Sequence, residues 1–260
     1  MPTPLDLLRD PISITVFILY ALLIVVEALF PARRLPHSPW WRVRGLSAFM
    51  VFFFISSYLP LVWGETIVQW QVFDLTWLGT WAGALVGLLV YEAGVYAWHR
   101  AMHQHNFLWK YFHQMHHSAE RLDTYGALWF SPLDMLGWTV LNSLCLTVII
   151  GITPEATVMV LYITMFLSVF QHSNLRTPRW LGYIVQRPES HSYHHGRGIH
   201  SHNYSDLPMF DLLFNTFVNP KEFIAENGFY DGASLRLGDL LLGRDVTKPK
   251  EPTANQLITE

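Results

Sequence analysis

An all-α, polytopic transmembrane bundle of about four to five spans, with a cytoplasmic histidine-rich helical cap, is the fold class this sequence predicts. Three observations predict it. Of 260 residues, 51% are hydrophobic and only 14% charged, against about 25% charged in an ordinary soluble domain. Several apolar runs are long enough to cross a bilayer. The thirteen histidines gather at the ends of those runs.

Residues 12–30, ISITVFILYALLIVVEALF, give the first span; a cleaved signal peptide is its rival, but the run has neither a basic start nor a clear small-x-small site. Residues 46–63 give the second and 77–98 the third. Residues 133–151 and 155–171, separated only by ITP, predict a helical hairpin. Arg33, Arg34, Arg42 and Arg44 lie between spans one and two, whereas the 64–76 loop has no Lys or Arg. The positive-inside rule therefore places the first loop, and with it every histidine cluster, on the cytoplasmic side. Residues 172–246, rich in turn formers, read as a cap under the spans. A single domain over 1–246 is expected, with 247–260 as a disordered tail. The net charge of −3 and the absence of a dense basic run argue against a nucleic-acid partner. Cys145 is the only cysteine, so neither an intramolecular disulfide nor a Cys-based metal site is available; it reads as a small hydrophobe.

The histidines are spaced as well as numerous. His99 and His103 are four apart; His113, His116 and His117 stand at i, i+3 and i+4; His191, His194 and His195 repeat that pattern. On a helix these offsets share a face, so each motif can aim two or three imidazoles at one point. An isolated histidine at a membrane edge is most often hydrogen-bonded polar structure. Eight crowded imidazoles are different, because they repel if protonated and gain little from packing if neutral. A metal removes the conflict. Neutral imidazole suits zinc, copper, iron and nickel, and eight or nine donors exceed the needs of one ion, so two ions in a shared site are expected.

HRAMH, HQMHH and HSYHH, with a lone QHSN between the last two, resemble the fatty acid hydroxylase/sterol desaturase family of membrane-bound, non-haem di-iron oxygenases. The resemblance runs from about Glu92 to Phe217. It implies that His99, His103, His113, His116, His117, His172, His191, His194 and His195 bind two iron ions, and that the protein carries out O2-dependent hydroxylation or desaturation of a lipid. NYSDLPMFDLLFNTF resembles the closing segment of the family, with Ser205 and Phe210 in place of a Gly and a Trp. Glu92 stands where many relatives have Asp, two helical turns before His99, from where a carboxylate can orient a ligand ring. Tyr96, Asn203 and Asp211 are expected to support the ligands with it. Some relatives have a second histidine four residues after the position of His172; Arg176 stands there, which makes His202 or water a candidate replacement. His37, His105 and His200 are expected to be ordinary polar residues.

The sequence has no GxGxxG, no cysteine set for an iron–sulfur cluster and no fused cytochrome motif. Electrons must then come from a separate reductase, ferredoxin or cytochrome, for which Arg179, Arg187 and Arg197 are a candidate landing surface. The expected substrate is a membrane lipid with a fatty acyl, alkyl ether or sterol-like chain. The expected location is a bacterial inner membrane in preference to the endoplasmic reticulum. The alternatives on the same site are a lipid or sterol desaturase and a carotenoid ring hydroxylase. Outside the oxygenases they are a membrane zinc hydrolase, which would want an HExxH that is absent, and a metal or haem carrier.

Overall fold

The computed structural model describes residues 1–250. Among them it is all-helical, with two isolated bridges and no strand. In chain order the α-helices are α1 (Pro4–Arg9), α2 (Pro11–Leu29), α3 (Trp41–Ile67), α4 (Gly79–Gln104), α5 (Asn106–Leu108), α6 (Gln114–His117), α7 (Pro132–Ser143), α8 (Pro154–His172), α9 (Pro188–His194), α10 (Met209–Leu213) and α11 (Leu237–Leu241). Five helical stretches are long and apolar enough to cross a membrane: Pro11–Leu29, Trp41–Trp70, Thr76–Gln104, Pro132–Ile149 and Pro154–His172. This is the build of an integral membrane protein.

Local chemistry sets several helix starts. Asp10, Ser131 and Thr153 each precede a proline at the first helical position, and each side chain accepts a hydrogen bond from the first turn: from Ile12, Asp134 and Ala156 respectively. The second span is longer than the apolar run 46–63. It takes in Arg42 and Arg44 at one end and Gly64–Ile67 at the other, continuing as a 3₁₀ turn to Trp70. Those residues are helical because they project beyond the hydrocarbon, where polarity does not oppose a helix. The third span likewise continues past residue 98 to carry both His99 and His103.

Residues 133–171 turn back as expected, but α7 and α8 do not pack mainly on each other. Helix α4 lies against both, α3 packs on α7, and α2 on α8. Small residues make this approach possible. A Cβ on Gly87 would sit 2.8 Å from Ile152 Cδ1, and one on Gly94 2.8 Å from Cys145 Sγ, the close packing that membrane helices obtain from small side chains. Cys145 is buried in the π-helical continuation of α7, Leu144–Ile149.

The two ends of the bundle differ. At one end, residues 72–75 hydrogen-bond to the backbone of 148–151. At the other, the chain between α2 and α3 is tied to the cap. Arg33 donates to the Ile224 carbonyl and to Asn227 Oδ1, and Arg44 to the Ser234 carbonyl. Glu27, near the end of α2, accepts from the backbone N–H groups of Thr124 (2.8 Å) and Asn174 (3.0 Å). All the histidine motifs lie at this second end. Residues 251–260, most of the expected tail, fall outside the described residues; residues 247–250 lie against the cap, with Arg236 donating to the Lys248 carbonyl and Lys250 Nζ 3.0 Å from Asp239.

Span two meets the cap at Gly45, where a Cβ would fall 2.1 Å from the Tyr125 carbonyl oxygen. A main-chain atom held in a turn cannot yield as a side-chain tip can. Gly45→Ala is expected to cost about 1–3 kcal/mol, read as a lower thermal midpoint of the purified protein in detergent; an unchanged midpoint would show that this junction is loose.

Candidate metal centre

Nine histidines from four parts of the chain converge at the cap end of the bundle. They form two groups: His99, His103, His113, His117 and His194 in one, and His116, His172, His191 and His195 in the other, with the candidate donor atoms in each group within 4.8 Å of one another. The two HxxHH motifs each divide between the groups, while His99 and His103 stay together in the first, and the i, i+3, i+4 spacing explains the division. His113 and His117 lie one turn apart and serve one group, while His116, between them, faces the other. A π-helical turn, Trp109–His113, leads into α6 and sets the phase of this motif; such turns are frequent at functional sites.

In four of the nine rings the second nitrogen is tied to an oxygen acceptor. His99 Nδ1 lies 2.8 Å from the Tyr204 carbonyl, His113 Nδ1 2.9 Å from Asp134 Oδ2, His172 Nδ1 2.6 Å from the Ser168 carbonyl and His194 Nδ1 2.6 Å from the His202 carbonyl. These partners are pure acceptors, so each Nδ1 carries the proton and each Nε2 of a neutral ring presents a lone pair. The Nε2 atoms face one another: His99 to His113 at 2.9 Å, His116 to His172 at 2.9 Å, and His172 to His191 at 2.9 Å. The His103, His117 and His194 Nε2 atoms are buried with no hydrogen-bond partner. Lone pairs opposed at such distances repel unless a cation lies among them. Imidazole donors held about 3 Å apart fit metal–nitrogen bonds of about 2.0–2.1 Å, so the residues present fit a metal centre.

The surroundings keep the rings neutral. Burial pushes His113, His116, His117, His191, His194 and His195 well below the ordinary histidine range, and the neighbouring imidazoles push the same way.

The supporting residues act mostly through backbone. Asp211, fully buried, accepts from the N–H groups of Tyr204 (2.9 Å) and Ser205 (3.0 Å) and from the Thr216 hydroxyl (2.7 Å). It thereby fixes the Tyr204 carbonyl that holds His99. Asn203 clamps two strands of loop: its side chain donates to the Ser190 and Val218 carbonyls and accepts from the Val218 N–H. The Tyr96 ring stacks on Phe214, and its hydroxyl accepts from Arg100. Glu92 is buried as expected but touches no ring; it accepts from the Leu207 N–H at 3.0 Å, pinning the same 204–207 segment. Ser205, in place of glycine, adds a hydroxyl 2.6 Å from the Leu207 carbonyl.

Two expectations are corrected, for His202 and Arg187, and the Arg176 position is placed. The His202 ring belongs to neither group: it turns to Ser201 at 2.8 Å, and only its carbonyl serves the site. Arg176 lies past the end of α8 on the surface, paired with Glu222, so the position is not part of the cluster. Arg187 is no landing surface, because it is 1% exposed and paired with Glu189 at 3.0 Å. One residue escaped the sequence reading, and His200, expected to be ordinary polar structure, is corrected. Asp134, in span four, bonds to His113, and the only available signal was an aspartate inside an apolar helix. His200 places its Nδ1 3.1 Å from His117 Nδ1, and burial lowers it to about 4.

Fold and site together define a polytopic helical membrane protein built around clustered imidazole donors. A family model described as fatty acid hydroxylase matches residues 84–216, and the chain belongs to the fatty acid hydroxylase family. It is 31% identical over 152 residues to an ornithine lipid hydroxylase of Rhizobium tropici, covering 55% of this chain and 45% of that protein. It is 26% identical over 138 residues to sphinganine C4-monooxygenase 1 of Arabidopsis thaliana, covering 52% and 53%. It is 29% identical over 175 residues to the alkylglycerol monooxygenase of Homo sapiens, covering 65% and 36%. The chain thus spans about half the length, or less, of these curated relatives. No solved structure matches it.

Replacing Asp134 by Ala removes the acceptor that fixes the His113 tautomer, and a change of this kind typically costs about 10–100-fold in metal affinity. Asp134→Ala is expected to lose bound metal in a competition with chelator while Asp134→Asn, which keeps an acceptor oxygen, loses less. Equal retention in both would mean that Asp134 is not what orients His113.

Proposed function

We propose that this protein is an O2-dependent di-iron oxygenase that hydroxylates a membrane lipid, drawing electrons from a separate donor on the cytoplasmic side. The observation that carries the reading is the opposed lone pairs of His99 and His113, whose other nitrogens are both committed to oxygen acceptors. The division of nine donors into a group of five and a group of four supports one ion in each. The family, together with relatives named as hydroxylases and monooxygenases of ornithine lipid, sphinganine and alkylglycerol, supports iron over zinc and a lipid over a soluble substrate.

Iron held there would supply O2 activation and C–H cleavage, with the overall balance RH + O2 + 2e⁻ + 2H⁺ → ROH + H2O. The chain's own residues supply position and exclusion. Tyr204, Ser168 and His202 carbonyls and the Asp134 carboxylate hold the His99, His172, His194 and His113 rings in one tautomer. Burial of eight of the nine histidines keeps bulk water from the centre. No nucleophilic side chain is required.

Purified protein supplied with iron, a reductase system and membrane lipid under 18O2 is expected to place one labelled oxygen in a lipid. Loss of two hydrogens without label would favour a desaturase, and turnover of soluble substrates alone would refute the lipid assignment. His116→Ala and His194→Ala, one from each group, are expected to bind less than the parent's two irons and to be inactive while still inserting in the membrane. Full iron content in both would overturn the di-iron reading. For sidedness, cysteine at the exposed position of His105 should label from the cytoplasm and cysteine in place of Val72 from outside; the reverse pattern would invert the topology.

A further inference from the structure

A groove of about 350 Å³ opens between α4 and α7, lined by Trp98, Phe112, Leu136, Gly137, Val140 and Leu141, with Leu144 at its edge. We infer that this groove is the binding site for the hydrocarbon chain of the substrate lipid and that Gly137, Trp98 and Phe112 set which chains it accepts. The inference rests on the proposed lipid oxygenation and says where the chain lies.

Four observations carry it. First, every lining residue is apolar, and the volume falls in the range of about 300–1,000 Å³ that small-molecule sites occupy. Second, the groove lies close to the histidine cluster: Trp98 and Phe112 are the chain neighbours of His99 and His113, and Trp138, the neighbour of Gly137, has its ring 6.0 Å from the His99 ring, edge to face. Third, its rim is continuous with the lipid-facing surface of the bundle, because Val140 and Leu144 on α7 are 45% and 44% exposed. A chain can therefore enter sideways from the bilayer. Fourth, the space depends on a missing side chain. A Cβ on Gly137 would stand 3.0 Å from Trp98 Cζ2 and 3.3 Å from Phe112 Cδ1, so any larger residue there would push against both rings and displace the wall of the groove. Gly137 has no positive φ to explain it; close approach is the remaining reason for a glycine in mid-helix, where it costs about 0.5–1 kcal/mol relative to alanine.

The occupant this selects is a long, flexible hydrocarbon chain. Trp98 and Phe112 pack edge to face with centroids 5.5 Å apart and so present a closed wall, along which a slender chain can lie. Apart from the buried, unpartnered Trp98 Nε1 the lining side chains offer no polar atom, so a headgroup would stay outside the groove.

The test uses the whole protein in lipid nanodiscs with a long-chain fatty acid carrying a diazirine at mid-chain. On illumination, crosslinks are expected to concentrate on residues 98, 112 and 136–144 and to fall when unlabelled long-chain lipid is added in excess. Gly137→Val and, at the more tolerant rim, Val140→Phe should each reduce that competed labelling about tenfold while bound iron stays at the parent's level. If labelling spreads evenly over the exposed surfaces of all five spans and is not competed, the groove holds only boundary lipid and the inference falls. The same result follows if both iron-loaded variants label as the parent does. This readout needs no turnover. A protein that crosslinks in the groove but incorporates no 18O would therefore disprove the oxygenase reading and leave the binding site standing, whereas 18O incorporation without competed labelling would do the opposite.

Discussion

Nine imidazoles gathered in one place set the condition that the rest of this structure has to satisfy. Two neutral rings whose lone pairs meet at 2.9 Å repel, and two protonated ones would repel more strongly in a buried site. Such an arrangement is tolerable only if each ring is held in one tautomer and a cation takes up the converging lone pairs. For four of the rings the protein meets the first requirement with backbone carbonyls, at His99, His172 and His194, and with a carboxylate at His113. Carbonyls suit this task because they accept without adding charge. The single carboxylate gives one ring more basicity than its neighbours.

Holding carbonyls in position transfers the problem to the loop that supplies them. His200, His202 and Asn203 all have positive φ, at 43°, 68° and 52°. For residues with a Cβ this left-handed conformation is unfavourable. In return, the His202 carbonyl reaches His194 and the Asn203 carbonyl accepts from Gln186, whose amide lies 2.7 Å from His191. Asp211 and Asn203 clamp both sides of this loop, and Glu92 pins its far end from within a span. A buried carboxylate accepting several backbone N–H groups is well compensated, which explains why the Asn, Tyr and Asp of the closing segment occur together.

How much of this could be read from sequence follows from the range of each interaction. The nine histidines and their convergence were legible, because i, i+3 and i+4 spacing is local geometry and the span order brings the motifs to one end. The bundle and its five candidate spans were legible from hydropathy, although the ends of α3 and α4 were not, since polar helical turns beyond the hydrocarbon leave no hydropathic trace. Partners were the weak point. Glu92 was read as a carboxylate that orients a ligand ring; it is buried, but its contact is a backbone N–H 115 residues away, and no periodicity encodes that. Arg187 looked like surface charge because an arginine among polar residues usually is; its burial depends on Glu189, Asn219 and Thr177 meeting around it. His202 has a ligand-like ring but serves through its carbonyl, and a sequence cannot indicate which end of a residue is used.

The two histidine groups are not equivalent, and the difference bears on how the site communicates with solvent. All four members of the second group are buried, whereas in the first group His103 is only partly so. His103 also lines a polar opening with Gln104, Asn106, Trp109 and His200. One group is therefore sealed, with the Phe130 ring packed against His116, and the other stands beside that opening. The absence of a histidine at Arg176 fits this arrangement. Helix α8 ends at His172, and Ser173 is already extended, so a side chain four residues on would leave the bundle for the surface and add nothing to the sealed group. The sealed four are completed by His195 from α9's end and His116 from α6, which makes their geometry depend on how the cap docks beneath the spans. The Glu27, Arg33 and Arg44 contacts that bind the α2–α3 connection to the cap are thus part of what holds the centre together, although none of these residues touches it.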